Sequence, residues 1–172
     1  VTKEMQIDRV VPVIKAIKAT NSKILLSIDT TSSEVAEAAF AAGASIINDV
    51  SAGREDKKLL GFAAETKAPL ILMHMQGQPE NMQDAPSYEN ALEEIKNFLI
   101  ERAEAAESMG VDKDKILIDP GIGFGKTKQN NLDLVANLAE FVSTGYAVML
   151  GASRKRFMGS ICQIEKFSEL VG

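Results

Sequence analysis

Five short apolar runs recur along the chain and set its expected architecture. They cover residues 24–28, 45–47, 70–73, 116–118 and 146–150. Apart from Ser27 and Ser45, each run is continuously apolar. This is typical of parallel strands buried on both faces, although a short buried helical segment gives the same pattern. The turn-forming residues that flank the runs favour strands.

Apolar residues spaced three and four apart lie before and between these runs, as in amphipathic helices. They are Val10, Val13, Ile14 and Ile17; Val35, Ala38, Ala39 and Ala42; Leu59, Leu60 and Ala63; Leu92, Ile95, Leu99, Ala103 and Ala106; and Leu132, Val135, Leu138 and Val142. Thr31 and Glu34 have the spacing of a capping box, and Gly43 and Gly110 stand where helices are expected to end. The pattern predicts alternating strands and helices.

This alternation predicts right-handed βαβ units and a parallel sheet, either doubly wound or closed into a (β/α)8 barrel. A barrel uses about 250 residues for eight units, or roughly 31 for each. The 172 residues hold about five and a half such units, in agreement with five strands. We therefore predict an α/β fold of the (β/α)8 TIM-barrel type, incomplete here, with residues 1–172 forming a single partial domain.

The composition narrows the classes of function. The chain has 45% hydrophobic and 25% charged residues and a net charge of −5, as in an ordinary folded protein. An acidic chain with few aromatic residues does not predict a nucleic-acid groove, and no uncharged run reaches the roughly 18 residues of a membrane span. Cys162 is the single cysteine, so no internal disulfide is expected and a reducing cytoplasm is the expected location.

Polar residues follow every predicted strand. The segments are Asp29-Thr30, Asn48-Asp49, His74-Met75-Gln76-Gly77, Asp119-Pro120-Gly121 and Ser153-Arg154-Lys155. In a parallel barrel these strand ends all lie on the face where active sites are built. We therefore predict that they converge on one pocket.

Structural roles compete with this interpretation at individual positions. Asp29 is also suited to capping a helix, and Asn48-Asp49 to forming a turn. His74, the only histidine, is more typical of a hydrogen-bonded structural residue than of a catalyst. Cys162 is more typical of an unreactive thiol than of a nucleophile, and the two together do not make a metal site.

Two further motifs indicate a ligand. Residues 119–126 carry three glycines in five positions, a pattern that suits unusual backbone angles or close approach to a ligand; its GxGxGK spacing differs from the Walker and dinucleotide motifs. Arg154, Lys155 and Arg156 form a basic triplet. A solvated helix start is one explanation of the triplet, but cations oppose the dipole of a first helical turn, which favours an anionic or carbonyl-bearing ligand.

At these residues the sequence resembles the dihydropteroate synthase family of the folate pathway. The matching segments are 27–30, 47–50, 72–77 with Pro79, Met82 and Gln83, 119–126, and 151–155. The resemblance extends over essentially all 172 residues and implies the third to seventh strands of that family's barrel.

The resemblance implies a transferase reaction. Dihydropteroate synthases condense 6-hydroxymethyl-7,8-dihydropterin diphosphate with 4-aminobenzoate to give 7,8-dihydropteroate and diphosphate. The bond between carbon and the diphosphate oxygen breaks, and the aromatic amine captures the pterin methylene. The resemblance also implies Mg²⁺ as cofactor, small-molecule substrates, a homodimer and sensitivity to sulfonamides.

Residue roles follow from the same resemblance. It implies that Asp119 binds the amidine edge of the pterin, that Asp29, Asn48 and Lys155 complete the pterin contacts, that Phe124 and Ser153 receive aminobenzoate, that Met73 or Met75 packs against the ring, and that Arg154 is a secondary candidate. The four implied catalytic residues are Asp29, Asn48, Asp119 and Lys155.

Parts of the family pattern have no counterpart in these residues. They are the first strand, whose terminal Asn contributes to metal and diphosphate binding, two mobile loops, and the last strand with its Arg-x-His anion site. We therefore expect residues before Val1 and no metal ligand within this chain. We also expect the 172 residues alone to bind pterin weakly or not at all, because an open barrel leaves sheet edges exposed.

Three other functions stay open. A methyltransferase that moves a methyl group from methyltetrahydrofolate to a corrinoid protein shares the barrel and similar Asp and Asn positions, although the segments 74–77 and 153–155 favour the synthase. A catalytically incomplete pterin-binding remnant is a second alternative. A Schiff-base aldolase that uses Lys155 is a distant third.

Overall fold

The computed structural model of the protein describes residues 1–77 and 86–162, with the backbone alone at 156, 160 and 162. Its elements are α1 (Lys3–Thr20), β1 (Ser27–Asp29), α2 (Ser33–Ala42), β2 (Ile46–Asp49), α3 (Lys58–Thr66), β3 (Leu70–Met73), α4 (Ala91–Ser108), a 3₁₀ turn (Lys113–Lys115), β4 (Ile116–Asp119), α5 (Lys128–Ala136), α6 (Leu138–Val142), β5 (Ala147–Val148) and α7 (Arg156–Cys162). Pro79, Met82, Gln83 and the side chain of Cys162 lie outside the described residues. Within those residues, no helix is long and apolar enough to cross a membrane.

The five strands form one parallel sheet in the order β1-β2-β3-β4-β5. A doubly wound sheet reverses its strand order at a switch point, whereas a barrel wall keeps the strands in chain order. Each of the helices α1 to α4 also packs against the next helix, up to α5, as consecutive helices do around a barrel. The predicted incomplete (β/α)8 class is confirmed, and β3 covers the predicted residues 70–73.

The main core lies between the sheet and the helices. Ile47, Leu70, Leu72, Ile116 and Ile118 are fully buried on this side. They pack with a set of helical residues that includes Leu59, Leu60, Ile95, Leu99, Ala103, Leu134 and Phe141. Because side chains alternate along a strand, the residues between these positions point to the opposite face of the sheet.

The start of α2 differs from the predicted capping box of Thr31 and Glu34. The helix begins at Ser33, and the side chain of its N-cap residue, Ser32, makes no capping hydrogen bond. The backbone N–H and the hydroxyl of Ser33 instead donate to Asp56 Oδ2, at 2.9 and 2.7 Å. The cap is therefore supplied by a residue 23 positions later in the chain, a contact that local spacing does not reveal.

The predicted helical face over residues 132–142 is right at Leu132 and Leu138, which pack against the core, and wrong at Val135 and Val142. The backbone breaks at Asn137, which has φ −107° and ψ 27° and separates α5 from α6. Leu134 and Phe141 become fully buried, whereas Val135 and Val142 are 39% and 58% exposed. The predicted face assumes one uninterrupted helix. Because the helix breaks at Asn137, α5 and α6 each turn a different set of residues toward the core.

The glycines after β4 allow two neighbouring loops to pack against each other. Gly121 and Gly125 have positive φ angles of 66° and 61°. A Cβ atom on Gly121 would lie 2.0 Å from the His74 carbonyl oxygen, and one on Gly125 would lie 2.5 Å from that of Gln76. The predicted unusual backbone angles are confirmed at these two positions. The close approach is to the loop after β3, and approach to a ligand stays a prediction.

Replacement of Asp56 tests the tertiary cap of α2. We expect Asp56→Ala to lower the free energy of unfolding of the full-length protein that carries this chain by about 1 kcal/mol, as for loss of a helix cap. Ser32→Ala is the matched control, because the Ser32 hydroxyl is buried without a hydrogen-bond partner. We expect the control to change stability by less than about 0.5 kcal/mol. A larger loss from Ser32→Ala than from Asp56→Ala, measured by urea unfolding, would contradict this assignment.

The Asp56 cap also has a pH signature. Partial burial disfavours ionisation of Asp56, but the hydrogen bonds from Ser33 and Lys58 outweigh it and lower its pKa below the ordinary 3.8. A depressed carboxyl pKa stabilises the fold above the unfolded-state pKa, and this contribution disappears as the pH falls through the folded-state value. The stability difference between wild type and Asp56→Ala should therefore shrink below about pH 4.

Replacement of Gly121 tests the contact between the two loops. We expect Gly121→Ala to cost about 3 kcal/mol or more, because the left-handed backbone and the backbone clash both oppose a side chain. Gly151→Ala is the matched control, since a Cβ atom there meets nothing within 4 Å. We expect the control to change the unfolding free energy by at most about 1 kcal/mol. Equal effects of the two substitutions would contradict the packing described for Gly121.

Candidate active site at the carboxyl ends of the strands

The register of the sheet brings four predicted site residues to one face. Asp29 pairs with Asn48 across β1 and β2, and Met73 pairs with Asp119 across β3 and β4. Asn48 also pairs with Ile71, which lies two residues before Met73 and therefore on the same face. The four side chains consequently share the face opposite the helices, at the carboxyl edge of the sheet.

Asp29 and Asn48 lie opposite each other across β1 and β2 on this face. Loss of solvation beside the neighbouring strands raises the pKa of Asp29, and the hydrogen bond with the Asn48 side chain opposes that rise. The carboxylate nevertheless stays accessible to solvent. This pair can therefore present a carboxylate oxygen and an amide to a ligand inside the open barrel.

Asp49 has a separate, structural role. It lies on the helix side of β2 and is fully buried. Its carboxylate accepts hydrogen bonds from the Ser51 N–H, the Ser51 hydroxyl and the Gly53 N–H, at 2.8, 2.7 and 2.6 Å. The turn-forming role that the sequence left open for Asn48-Asp49 is thus filled by Asp49, which leaves Asn48 to face the barrel interior.

Asp119 is the most buried carboxylate of the candidate site. Burial raises its pKa, whereas a 2.7 Å hydrogen bond from the Gly121 N–H and the positive charges of Lys155 and Lys126 lower it. The carboxylate is thus poorly hydrated and uses one oxygen within its own loop. A ligand with a pair of N–H donors matches the remaining acceptor positions well.

Lys155 lies near Asp119 and Phe124. Its Nζ atom is 4.1 Å from the centroid of the Phe124 ring, and its Cδ atom limits the space around Gly123. Burial lowers the pKa of Lys155, and the charge of Asp119 raises it. The side chain precedes α7, so the first turn of that helix does not include it. Lys155, Phe124 and Asp119 therefore form one charged and aromatic cluster.

The remaining predicted residues occupy two environments. Met73 and Met75 are 3% and 4% exposed, and Met73 lies against Gly121. The Met75 carbonyl accepts a 3.2 Å hydrogen bond from Arg54 Nη2, which links the loops after β2 and β3. Ser153 and Arg154 are exposed in the turn before α7, and Arg154 has a positive φ of 53°. Their roles, like those of the other site residues, stay predictions.

Lys126 is the buried residue to which the sequence analysis gave no role. Its Nζ atom lies 3.0 Å from His74 Nδ1 and 2.9 to 3.2 Å from the carbonyl oxygens of His74, Gly121 and Phe124. Its position after three glycines, as the one charged residue of 120–126, was the available signal.

His74 is structural, in agreement with the simpler of its two interpretations. Its ring packs edge-on against Phe98 with centroids 5.0 Å apart. Burial, together with the charges of Lys126 and Arg54, lowers its pKa to about 3, so the ring is neutral at physiological pH. A neutral ring can accept a hydrogen bond from Lys126 through Nδ1.

The described side chains do not form a metal centre. No group of three or more His, Cys, Asp or Glu residues within 1–77 and 86–162 converges as metal ligands do. The cluster instead offers a buried carboxylate, an ammonium group, an amide and an aromatic face. These groups suit binding and orientation of a flat polar heterocycle by hydrogen bonds.

The chain is similar in sequence and in fold to known proteins. A dihydropteroate synthase of Streptococcus pyogenes serotype M6 is 47% identical over 156 residues, which are 91% of this chain and 56% of that protein. The dihydropteroate synthase of Stenotrophomonas maltophilia, solved with imidazole in its active site, superposes with a TM-score of 0.92 at 42% identity and covers 98% of this chain and 63% of that one. That of Xanthomonas albilineans, solved with 7,8-dihydropteroate, gives a TM-score of 0.89 at 41% identity, with coverages of 98% and 61%.

The lengths of these matches show which family the chain belongs to and how much of its relatives' length it covers. The chain spans less than two thirds of the length of each of these three relatives. The sequence profile described as "Pterin binding enzyme" matches residues 1–170, which is nearly the whole chain. The chain therefore belongs to the family of pterin binding enzymes.

Proposed function

We propose that the protein carrying this chain is a dihydropteroate synthase, a transferase that joins 6-hydroxymethyl-7,8-dihydropterin diphosphate to 4-aminobenzoate. The products are 7,8-dihydropteroate and diphosphate. The observation that carries the proposal is the cluster of Asp119, Lys155 and Phe124 at the carboxyl edge of the sheet, on the face that Asp29 and Asn48 share. The dihydropteroate synthases named above support the choice among pterin chemistries.

Asp119 and Lys155 are suited to opposite edges of a pterin. A poorly hydrated carboxylate accepts two parallel N–H bonds from the amidine edge, while an ammonium group donates to a carbonyl or ring nitrogen. Asp29 and Asn48 add an acceptor and an amide further along the same face. In this proposal the four residues orient the ring, and Met73 or Met75 supplies an apolar wall.

Phe124 is suited to the second substrate. In the proposed reaction, 4-aminobenzoate enters beside the Phe124 ring and the turn that contains Ser153, with Arg154 as a secondary contact. Its amine forms a bond to the pterin methylene while the carbon–oxygen bond to diphosphate breaks, and the amine then loses a proton to water. The chemistry needs close orientation of two reactants and no protein nucleophile.

Mg²⁺ is part of the proposal through the resemblance alone. It would share the negative charge of the departing diphosphate. No group of three or more His, Cys, Asp or Glu residues converges among the described residues. The proposal assigns none of them to the metal, and no step depends on it.

Further properties complete the proposal. Residues 1–172 form a single partial barrel domain, the working enzyme is a homodimer, and sulfonamides compete at the aminobenzoate side. A cytoplasmic location is supported by the single cysteine among these 172 residues, which excludes a disulfide within them. The substrates are small molecules, and neither nucleic acid nor a membrane is a proposed partner.

The decisive experiment measures diphosphate release by the full-length protein that carries this chain. We expect release only when pterin diphosphate and 4-aminobenzoate are both present, with formation of dihydropteroate in equal amount. Methyl transfer from methyltetrahydrofolate to a corrinoid protein, without this condensation, would instead identify the alternative methyltransferase. Pterin binding without either reaction would identify a non-catalytic pterin-binding protein.

Asp119→Asn tests the proposed pterin contact. We expect the affinity for a pterin analogue, measured by calorimetry, to fall about 10- to 100-fold, since a hydrogen bond to a charged group contributes about 1.5–3 kcal/mol. Asp114→Asn is the matched control, because Asp114 is exposed in the turn before the opposite end of β4. Equal affinities of Asp119→Asn and the control would contradict the assignment of Asp119.

A further inference from the structure

Lys126 is a buried amine whose hydrogen-bond partners are mostly backbone carbonyls. The residue is 4% exposed. Its ammonium group has three protons and four acceptors in range: His74 Nδ1 and the carbonyl oxygens of His74, Gly121 and Phe124. No hydrogen bond to a carboxylate is among these contacts, so Lys126 is not one half of a buried ion pair.

The acceptors of Lys126 come from two different loops. His74 begins the loop after β3, and Gly121 and Phe124 belong to the loop after β4. Burial lowers the pKa of Lys126 to about 7, the charge of Asp119 raises it, and that of Lys155 lowers it further. A buried amine that carries such a cost is kept where its donors satisfy backbone groups that would otherwise be unpaired.

Two neutral side chains hold the same glycine loop at other points. Asn131 Oδ1 accepts a 2.6 Å hydrogen bond from the Gly123 N–H. The Tyr88 hydroxyl donates to the Gly125 carbonyl at 2.7 Å. With Lys126 on the Phe124 carbonyl, polar side chains hydrogen-bond the backbone of three consecutive residues, 123 to 125. Phe124, whose ring lies beside Lys155 Nζ, is the middle residue of this segment.

Asp119 is held by a different set of contacts. Its carbonyl accepts from the His74 N–H at 3.0 Å as part of the pairing between the ends of β3 and β4. Its carboxylate accepts from the Gly121 N–H, a bond within two residues of chain. Loss of Lys126 therefore leaves these two contacts of Asp119 in place, although it removes a positive charge near the carboxylate. It also leaves the Phe124 carbonyl without its Lys126 donor.

We propose that Lys126 is a positioning residue that fixes the Phe124 ring, and through it the aminobenzoate side of the site, by joining the loops after β3 and β4. The inference rests on the proposed function for its substrate, but the contact between Lys126 and the Phe124 backbone does not. Lys126 thus acts chiefly on the aminobenzoate side. Its charge also lowers the pKa of Asp119, so we expect a smaller effect on the pterin side.

The test is the split between the two Michaelis constants in the full-length protein. Lys126→Met keeps the length of the side chain and removes its donors. We expect KM for 4-aminobenzoate to rise about tenfold or more, the equivalent of about 1.4 kcal/mol, with less than about a threefold change in KM for pterin diphosphate. Lys128→Met, at an exposed lysine two residues later, is the matched control and should change neither constant.

A milder variant covers the case in which Lys126→Met does not fold. Tyr88→Phe removes one donor to the same loop, from Gly125. We expect it to raise KM for 4-aminobenzoate about two- to tenfold with KM for pterin diphosphate unchanged, as for loss of one neutral hydrogen bond. Parallel increases in both constants, or no increase in either, would overturn the proposal, because a purely structural role affects both substrates together.

A spectroscopic measurement separates this inference from the proposed function. With 4-fluorophenylalanine at position 124, the ¹⁹F signal should be a single narrow resonance in the wild type and in Lys128→Met. It should broaden or split in Lys126→Met, and to a smaller extent in Tyr88→Phe. An unchanged signal in Tyr88→Phe and in any folded Lys126→Met would overturn the positioning role even if the protein is a synthase. A changed signal in a protein without synthase activity would support the positioning role of Lys126 but contradict 4-aminobenzoate as the substrate.

Discussion

The candidate site depends on the register of backbone hydrogen bonds between neighbouring parallel strands. Asp29 opposite Asn48, and Met73 opposite Asp119, lie on one face only because each pair is aligned residue for residue. A slip of one residue in either pairing would turn a polar side chain toward the helices and an isoleucine or leucine toward the barrel interior. The fully buried residues on the helix side oppose such a slip, so the apolar core determines where the polar groups point.

Much of this arrangement follows from the sequence because its signals are local. Continuous apolar runs mark strands that are buried between helices and barrel interior, and a polar residue at the end of each run marks the edge of the sheet. The residues 70–73 and the glycines at the ends of α2 and α4 are found where the patterns predict them. The face shared by Asp29, Asn48 and Asp119 follows from the same alternation.

The features that the sequence did not reveal depend on contacts between distant residues. Asp56 caps α2 from 23 residues away, so the nearer Thr31 and Glu34 resembled a cap that the fold does not use. The helix breaks at Asn137, so the buried faces of α5 and α6 do not continue from one helix to the next. No glycine or proline marks this break. Lysines are usually exposed, so the burial of Lys126 was not expected from the sequence. The backbone carbonyls that surround its amine have no sequence signal of their own.

Asp49 and Asn48 show how adjacent residues of one strand can have separate roles on its two faces. The Asp49 carboxylate closes a ring of hydrogen bonds that ends at Gly53, all within four residues of chain. The same turn is also bonded to its surroundings, because Arg102 of α4 donates to the Ala52 carbonyl and Arg54 donates to the carbonyls of Ser51 and Met75. Beyond Gly53, the Glu55 N–H donates to the Ser51 hydroxyl and Asp56 caps α2. A change of length in the approach to α3 would therefore disturb both the turn after Asn48 and the start of a neighbouring helix.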